Sequence, residues 1–327
     1  LLGAALFEVW RRRRKLVWQF RLLDFFLGLT VLGIIFAWLG LQVQEYNREQ
    51  QALEEIRKAV AANEFPSGYG PSETIEYQHG APTFLRELFG ERPFRFMDRV
   101  VHCNLVGSYC PEVADQFVHL KYYGPYPISP QTVAAINRMQ DLESLELSGF
   151  PEPYSAAEWP GGSYFQGITP SPALRDCDLS FASLTEEELK WLSRCRNLDY
   201  LSISTPSDHG LNPLRSLMRL KHVYLSSPSE SPGFTDESLT ILSRLPELEH
   251  LGIEGGRFSA AGIAQLKANE RLSFLRIRCR KVDTKQRHEV AAGLGELSQV
   301  KHLSITLGPL DEESLAKLAR LKFLKRL

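Results

Sequence analysis

Histidine and cysteine carry the most reactive side chains in this sequence, and four of them lie close together along the chain. They are His102, Cys103, Cys110 and His119. Imidazole and thiolate are the usual ligands of zinc, so a cluster of this kind raises the question of a metal site. Consecutive side chains of a strand point to opposite faces, however, so His102 and Cys103 cannot both grip one ion. We therefore expect no metal ion at this cluster.

Other histidine positions suggest metal or catalytic chemistry and lack the partners for it. His222 and His250 occupy equivalent positions in a sequence repeat, where a row of solvated polar side chains is the simpler explanation. His288-Glu289 begins an HExxH-like string, but residue 292 is alanine, so the second zinc ligand is missing. The sequence contains no GxSxG, phosphate-binding loop or GxGxxG motif. We expect no metal, no cofactor and no catalytic residue, and hence a protein that is not an enzyme.

The elements that position these residues come from a repeat whose clearest copy runs from Leu239 to Ile253. Its apolar residues recur in steps of three up to Leu248, which suits a helix and the turn leaving it. The step of two from Leu251 to Ile253 suits a strand. The same L-x-x-L-x-L pattern is anchored at Val100, Phe117, Leu142, Leu174, Leu198, Leu220, Leu248, Leu272, Val300 and Leu324. Such a repeat, about 20 to 29 residues long, is typical of leucine-rich repeats, so we predict an α/β solenoid with one strand and one helix per repeat.

Each predicted strand indicates which side chains face solvent. Counting from the anchor, residues at +3 and +5 point into the core, so residues at +2, +4 and +6 lie on the opposite, concave face. By this count the concave face carries His102, Asn104, His119, Lys121, Tyr123, Ser144, Glu146, Asp176, Asp178, Tyr200, Ser202, His222, Tyr224, His250, Glu254, Phe274, Arg276, Arg278, His302 and Ser304. Cys103 and Cys110 are close enough in sequence to pair. Cys103, Cys177 and Cys195 take core positions, however, which favours small buried thiols.

Large aromatic and arginine side chains concentrate in one part of that face. The candidate partner-binding residues are Tyr200, His222, Tyr224, His250, Phe274 and Arg276, with Trp159 from a Pro/Gly-rich insertion at residues 151–173. These side chain types often carry interface energy, because they bury much area at little entropic cost. The alternative for the insertion is that its aromatic residues pack on the edge of the solenoid. The repeat region is not basic, so we expect a protein or glycan partner and no nucleic acid.

The first 43 residues predict a membrane anchor. Residues 1–21 hold six Lys/Arg against one glutamate, and residues 22–43 form an apolar run without charge between Phe25 and Leu41. At 1.5 Å per residue such a run approaches the ~30 Å of a bilayer core. A cleaved signal peptide is the alternative, but the run is long for one and no small-x-small site follows it. The positive-inside bias then places residues 1–21 in the cytoplasm and the repeats outside.

Residues 44–94 separate the span from the repeats and predict a stalk helix and an N-terminal cap. Residues 44–62 predict a polar helix with Ala52, Ile56 and Val60 on one stripe. A loop, a short strand at 74–77 and a helix at 83–89 follow, the helix stopped by Gly90. Solenoids need such atypical end units. The repeats then occupy residues 95–327, and because the last copy stops before its final strand position, we expect a fragment truncated at its C-terminus.

This order of elements resembles a bacterial family of single-span membrane proteins that carry leucine-rich repeats of the ribonuclease-inhibitor-like type. The resemblance rests on Arg11 to Arg14 with Phe20 and Arg21, Ala52 to Ile56, Tyr77, Pro82 to Arg86, and Val100 to His102. It covers nearly the whole chain and concerns architecture, because the family has no catalytic motif to carry over. The chain departs from the family in lacking a Gly-Gly pair after the helix and in the insertion at 151–173.

Two classes of function fit these observations. In the first, the chain is a membrane-tethered, non-enzymatic interaction module that presents its concave surface outside the cytoplasmic membrane. In the second, the repeats regulate a catalytic or signalling domain that lies beyond residue 327. An open reading frame that ends within a repeat or two of residue 327 would favour the first class.

The orientation of the span is testable by proteolysis. Protease added to intact spheroplasts should remove the repeats, because the charge bias places residue 44 onward outside the cytoplasm. Immunoblots of the repeats before and after lysis measure this. Complete protection in intact spheroplasts, followed by digestion after lysis, would reverse the predicted orientation.

Overall fold

The computed structural model describes residues 3–4, 7–8, 22–62, 75–103, 116–124, 130–147, 167–184, 186–205, 208, 211–227, 233–279, 282–321 and 324–325. Several sequence predictions lie outside these residues, among them most of the basic segment 1–21, Asn104, Cys110, Trp159 and the greater part of the insertion at 151–173. The chain divides into two units. One comprises Leu1–Arg48 and Ala81–Met97, and the other comprises Glu49–Gly80 and Asp98–Leu327.

The first unit contains most of a long apolar helix. Helix α1 runs without interruption from Leu22 to Ala62, so the apolar run and the polar stalk predicted after it are one helix. Its stretch Phe25–Lys58 is long and apolar enough to cross a membrane, judged by length and composition, and its apolar window is not buried. A signal sequence near an N-terminus meets the same criterion. The unit also holds helix α2, Thr83–Phe89, and a 3-10 helix, Arg92–Met97.

Helix α2 has the bounds that the sequence predicted. Its N-cap is Pro82, whose fixed backbone suits the start of a helix, and its C-cap is Gly90. Gly90 has a φ of 79°, a left-handed conformation that glycine adopts without steric cost. The chain therefore turns sharply after Phe89.

The second unit begins with a cap over the first repeat. Strand β1, Ile75–Gln78, pairs antiparallel with strand β2, Arg99–Cys103. Beside it, Ala52, Leu53 and Ile56 of helix α1 are buried and belong to the hydrophobic core. The Glu49 carboxylate accepts a hydrogen bond from the Val100 amide at 3.2 Å. The end of helix α1 and the β1–β2 ribbon thus close the start of the solenoid, as terminal units of repeat proteins do.

One parallel sheet organises the rest of the described chain. Its eight strands, in spatial and chain order, are β3 Tyr122–Tyr123, β4 Ser144–Glu146, β5 Asp176–Ser183, β6 Tyr200–Ser204, β7 His222–Ser226, β8 His250–Glu254, β9 Phe274–Arg278 and β10 His302–Thr306. The α-helices that connect them are α3 Pro130–Ile136, α4 Glu186–Leu192, α5 Asp236–Leu242, α6 Ala260–Ala264 and α7 Thr284–Leu294, and helix α8, Glu312–Leu318, follows the last strand. Two further 3-10 helices cover Asn212–Ser216 and Gln265–Ala268. Successive helices from α5 to α8 pack against one another.

The strands pair without a register shift from β6 to β10. Leu251 of β8 aligns with Val223 on one side and Leu275 on the other, and Ile253 aligns with Leu225 and Ile277. All six side chains are buried. Positions +3 and +5 therefore form the core, as predicted, and the chain has the α/β leucine-rich-repeat fold.

One predicted repeat is wrong in its alignment. The sequence pattern anchored a repeat at Phe117, which placed Tyr123 on the concave face. In the structure Tyr122 pairs with Ser144 and Tyr123 with Leu145, so the anchor is Leu120 and Tyr123 is buried in the core. Phe117, Leu120 and Tyr123 are spaced by three, and a pattern of three-residue steps fits two alignments equally well. Tyr122 therefore replaces Tyr123 on the concave face.

A second correction follows from the same alignment. His119 lies in the turn before strand β3, where its Nδ1 is 2.8 Å from the Asp141 carboxylate. It does not lie on the concave strand surface, because it precedes the true anchor, Leu120.

Hydrogen bonds between neighbouring repeats order the helix layer. The Asp236 carboxylate accepts from the Ser259 amide at 2.9 Å and from its hydroxyl at 2.5 Å. Ser259 in turn caps helix α6 by accepting from the Gly262 amide. A Cβ on Gly262 would lie 1.9 Å from the Asp236 carboxylate, so glycine lets the two helix starts approach closely.

Three cysteines occupy the core, as predicted. Cys103, Cys177 and Cys195 are buried, and so is Cys279. Burial raises the pKa of the Cys195 thiol to about 12 and that of Cys279 to about 11. Both side chains therefore behave as small apolar groups at neutral pH.

The described end of the insertion, residues 167–173, packs in the helix layer. Ile168 is buried, and its carbonyl oxygen accepts a hydrogen bond from the Trp191 indole at 3.0 Å. The Asn137 side chain donates to the Gly167 carbonyl and accepts from the Thr169 amide, both at 2.7 Å. This part of the insertion therefore lies on the helix side of its repeat and not on the concave face.

Replacement of Leu251 by alanine tests the register. Leu251 is fully buried between two neighbouring strands, so we expect Leu251→Ala to lower the free energy of unfolding by roughly 2 to 5 kcal/mol. Leu315→Ala is the matched control, since Leu315 is 47% exposed. Urea denaturation followed by circular dichroism gives both values. A loss below about 1 kcal/mol for Leu251→Ala would contradict the register.

Candidate interaction surface

A row of ring side chains runs across the concave face at the first position of four strands. In-register pairing sets Tyr200 beside His222, His222 beside His250, and His250 beside Phe274. Their ring centroids are 6.4, 4.4 and 5.4 Å apart in that order, and the rings of His250 and Phe274 are stacked within 16°. We call these four residues the ring row. Neighbouring rings limit one another's rotation, so the row presents a surface that is ordered before any partner arrives.

A second row lies two residues further along the same strands. It contains Tyr224 of β7, Gly252 of β8 and Arg276 of β9, which pair in register. A Cβ on Gly252 would lie 2.5 Å from the Tyr224 ring, so the absence of a side chain there lets the Tyr224 ring lie close against strand β8. The Tyr224 ring is also 5.8 Å from the Tyr200 ring. Tyr224 thereby joins the two rows.

Arginine side chains close one side of this surface. The Arg276 guanidinium lies 5.7 Å from the centre of the Phe274 ring, within range of a cation–π contact. Arg276 Nε is buried and has no hydrogen-bond partner among the described residues. Arg278 lies 3.8 Å from the Glu254 carboxylate, at the rim. Arg276 thus offers a buried N–H donor beside an aromatic face.

These side chains enclose a shallow pocket of ≈ 260 Å³. Its lining includes Tyr200, Ser202, Tyr224, Glu254, Arg276 and Arg278. We call it the concave pocket. The pocket combines two phenol rings with two guanidinium groups, a carboxylate and hydroxyls. Such a lining suits a ligand that has both polar groups and an apolar or planar part.

Acidic and basic side chains lie at separate places along the concave face. Strands β4 and β5 present Glu146, Asp176 and Asp178, whereas strand β9 presents Arg276 and Arg278. Burial, and then the nearby Asp199 carboxylate, raise the pKa of Asp176. Burial and the hydrogen bond that Tyr122 donates to Glu146 raise the pKa of the Tyr122 phenol. One end of the surface therefore attracts cations and the other attracts anions.

Six of the seven candidate residues from sequence analysis come together on this surface. Tyr200, His222, Tyr224, His250, Phe274 and Arg276 all line the ring row or the second row. Trp159 lies outside the described residues. Two residues of the concave face, Tyr122 and Gly252, were not predicted from the sequence. The alignment error hid Tyr122, and the signal for Gly252 was a glycine at a strand position that carries side chains in other repeats.

The histidine clusters considered for metal binding have other contacts. The His102 ring packs on Tyr122 with 4.9 Å between centroids, whereas Cys103 is buried on the opposite side of its strand. His288 lies on helix α7, with its Nε2 2.6 Å from Asp311 and its Nδ1 3.5 Å from Glu313. Over the part of the chain that the structure describes, no three potential metal ligands converge.

The parallel, in-register strands define the class of this protein as an α/β leucine-rich-repeat solenoid. No protein-family profile and no curated protein matches the chain. Among solved structures, it is similar to an internalin (inlF) from Listeria monocytogenes, with 16% identity and a TM-score of 0.43 over 66% of this chain and 62% of that one. It is also similar to an internalin C2 (inlC2) from Listeria monocytogenes, with 17% identity and a TM-score of 0.39 over 60% of this chain and 75% of that one. The chain thus spans less than two thirds of the first internalin.

His250 should make stability depend on pH. Burial, and then the His222 imidazole, lower the pKa of His250 below its ordinary value of 6.5. Below that pH the unfolded chain binds a proton that folded His250 does not, so the folded state loses stability as pH falls through about 6.5. We expect the melting temperature to fall less in His250→Phe than in the wild type between about pH 7.5 and about pH 5.5. Phenylalanine keeps the ring contacts, and equal falls in both proteins would contradict the assignment.

Proposed function

We propose that this chain is a membrane-tethered, non-enzymatic interaction module that binds a protein or glycan outside the cytoplasmic membrane. The observation that carries the proposal is that Tyr224 lines the concave pocket and also lies 5.8 Å from Tyr200 of the ring row. Solenoids of stacked repeats use their extended concave surfaces for binding. The repeats would then act as a rigid platform, with no reaction of their own.

The side chains on this surface are of the kinds that contribute most to association. Aromatic and arginine residues dominate the energetics of interfaces, because they bury large areas with few rotatable bonds. Here their rotation is already limited, by stacking in the ring row and by the contact of Tyr224 with Gly252. Binding therefore loses less side-chain entropy than it would on a surface of isolated flexible residues.

The charge distribution supports a partner with separate acidic and basic groups. Arg276 and Arg278 would face the acidic groups, and Glu146 with Asp176 would face the basic ones. Such complementarity speeds encounter and fixes orientation more than it adds affinity. A protein surface supplies both kinds of group, whereas a glycan would use the tyrosine faces and hydroxyls of the concave pocket.

The membrane tether is the second part of the proposal. We infer a basic cytoplasmic segment at 1–21, a span at 22–43, a stalk and cap at 44–94, and a repeat domain at 95–327 that the insertion at 151–173 interrupts. The unbroken helix α1 and its exposed apolar side chains support the span. The excess of Lys/Arg before it supports a cytoplasmic N-terminus. The α-helices connecting most strands support repeats of the ribonuclease-inhibitor-like type, as in the bacterial proteins the sequence resembles.

The proposal is tested by capture with matched variants. The full chain in lipid nanodiscs serves as bait for envelope proteins and glycans, which mass spectrometry quantifies. Tyr224→Ala combined with His250→Ala should weaken capture of the partner by at least about tenfold, the effect of losing ~1.4 kcal/mol at an interface, with little change in melting temperature. Met218→Ala combined with Leu315→Ala is the control, because both side chains are exposed away from the strands.

Two results would rule this surface out as the binding site. One is capture that is equal for wild type and the Tyr224, His250 double variant. The other is a loss of capture that appears equally in the Met218, Leu315 control.

A variant lacking residues 154–165 tests the contribution of the insertion separately. Glycosidase treatment of the captured material distinguishes a glycan from a protein partner.

A further inference from the structure

Helix α2 exposes apolar side chains and buries a charged one. Phe84, Leu88 and Phe89 are 60%, 71% and 66% exposed, whereas Arg86 is 6% exposed. Phe84 and Leu88 lie one turn apart on the same face of the helix. Soluble helices show the reverse arrangement, with the apolar stripe inside. In the described repeat region, by contrast, exposed large apolar residues occur singly, at Met218 and Leu315.

The buried arginine holds this arrangement in place. The Arg86 guanidinium pairs with the Glu91 carboxylate, which lies just after the turn at Gly90. Arg86 is therefore buried while Phe84 and Leu88 of the same helix are exposed. The exposed apolar face is a consequence of the local fold and needs a partner other than water.

Basic and aromatic residues continue the surface after the turn. The 3-10 helix Arg92–Met97 has the sequence RPFRFM, in which Arg92 and Arg95 are exposed. The neighbouring charges of opposite sign are Glu87, which is exposed, and Glu91, which pairs with Arg86. Apolar residues flanked by arginines are typical of segments that lie in a membrane interface, where the arginines meet anionic headgroups.

Membership of the same unit as the apolar helix supports a bilayer as the occupant. Residues 81–97 belong to the same unit as helix α1 up to Arg48. The apolar run ends at Val43, so the polar part of α1 within this unit extends only ~7 Å beyond it, at 1.5 Å per residue. A unit that includes the end of a span and so short a polar extension lies next to the headgroups of the bilayer.

We propose that Phe84, Leu88 and Phe89, with Arg92 and Arg95, insert into the outer interface of the bilayer that helix α1 crosses. The inference rests on the proposed membrane span. It gives the first unit a second contact with the membrane, through anionic phospholipid headgroups and the adjoining acyl chains. Aromatic and arginine side chains are suited to this boundary because they offer both apolar area and polar groups.

Photo-crosslinking of the full chain in nanodiscs tests the inference. The photoreactive residue p-benzoylphenylalanine is placed singly at Leu88, at Leu29 within the span, and at Leu315 in the last described helix. The nanodiscs contain phosphatidylcholine with an anionic fraction of phosphatidylglycerol. We expect one added lipid mass at Leu88 and at Leu29 in the intact mass spectrum, and none at Leu315.

The three positions separate the possible outcomes. If Leu29 gives no lipid adduct, the membrane span and hence the proposed tether are wrong. If Leu29 gives the adduct but Leu88 gives none, or crosslinks to a second copy of the chain, the span stands and the interfacial contact is overturned.

The contribution of the arginines is measured by Arg92→Ala with Arg95→Ala, which should lower the Leu88 adduct severalfold in anionic nanodiscs and less in phosphatidylcholine alone. Equal yields in both lipids would overturn the role of the arginines.

Discussion

In-register pairing of parallel strands is the constraint on which the rest of this structure depends. In the turns before strands β4 to β10, one carbonyl oxygen accepts from two amides of the following repeat, as Lys221 does from Glu249 and His250 at 2.9 Å each. Because side chains alternate along a strand, this pairing aligns Leu251 with Leu275 in the core and His250 with Phe274 on the concave face. A slip of one residue would exchange the two faces. The same backbone bonds therefore decide both the core and the ring row.

Charged side chains also repeat in register from strand to strand, but they contribute less to stability than the buried leucines do. Lys121, Glu143, Arg175, Asp199, Lys221 and Glu249 hold equivalent positions in successive repeats and alternate in sign. The side chains of Lys121 and Glu143 lie 3.1 Å apart, and those of Arg175 and Asp199 lie 3.4 Å apart. Such solvent-exposed pairs typically contribute about 0 to 1 kcal/mol each. Burial of the leucines selects the register, and the alternating charges favour the correct neighbour within it.

The two units differ in how they bury their apolar side chains. The repeat unit satisfies its apolar residues internally, through stacked leucines and through the buried residues Ala52, Leu53 and Ile56 at its start. Among its described residues, the aromatic side chains of the ring row lie on the concave face, where stacking orders them. The first unit leaves Phe84, Leu88 and much of helix α1 exposed, so its apolar surface needs an environment other than water. The proposed membrane-tethered platform would account for both arrangements.

The sequence alone determined the repeating helix–strand order, the apolar run, the bounds of helix α2 and the core position of Leu251, because periodicity and turn residues are local signals. It also placed Tyr200, His222 and Phe274 on one face, since the alternation of a strand is a local property. It could not choose between Phe117 and Leu120 as an anchor, because their three-residue spacing fits both alignments. Only the pairing of Tyr123 with Leu145 decided this. The closeness of Tyr224 to Gly252, and the outward direction of Phe84 and Leu88, likewise depend on what neighbouring segments occupy, and that information exists only in the folded chain.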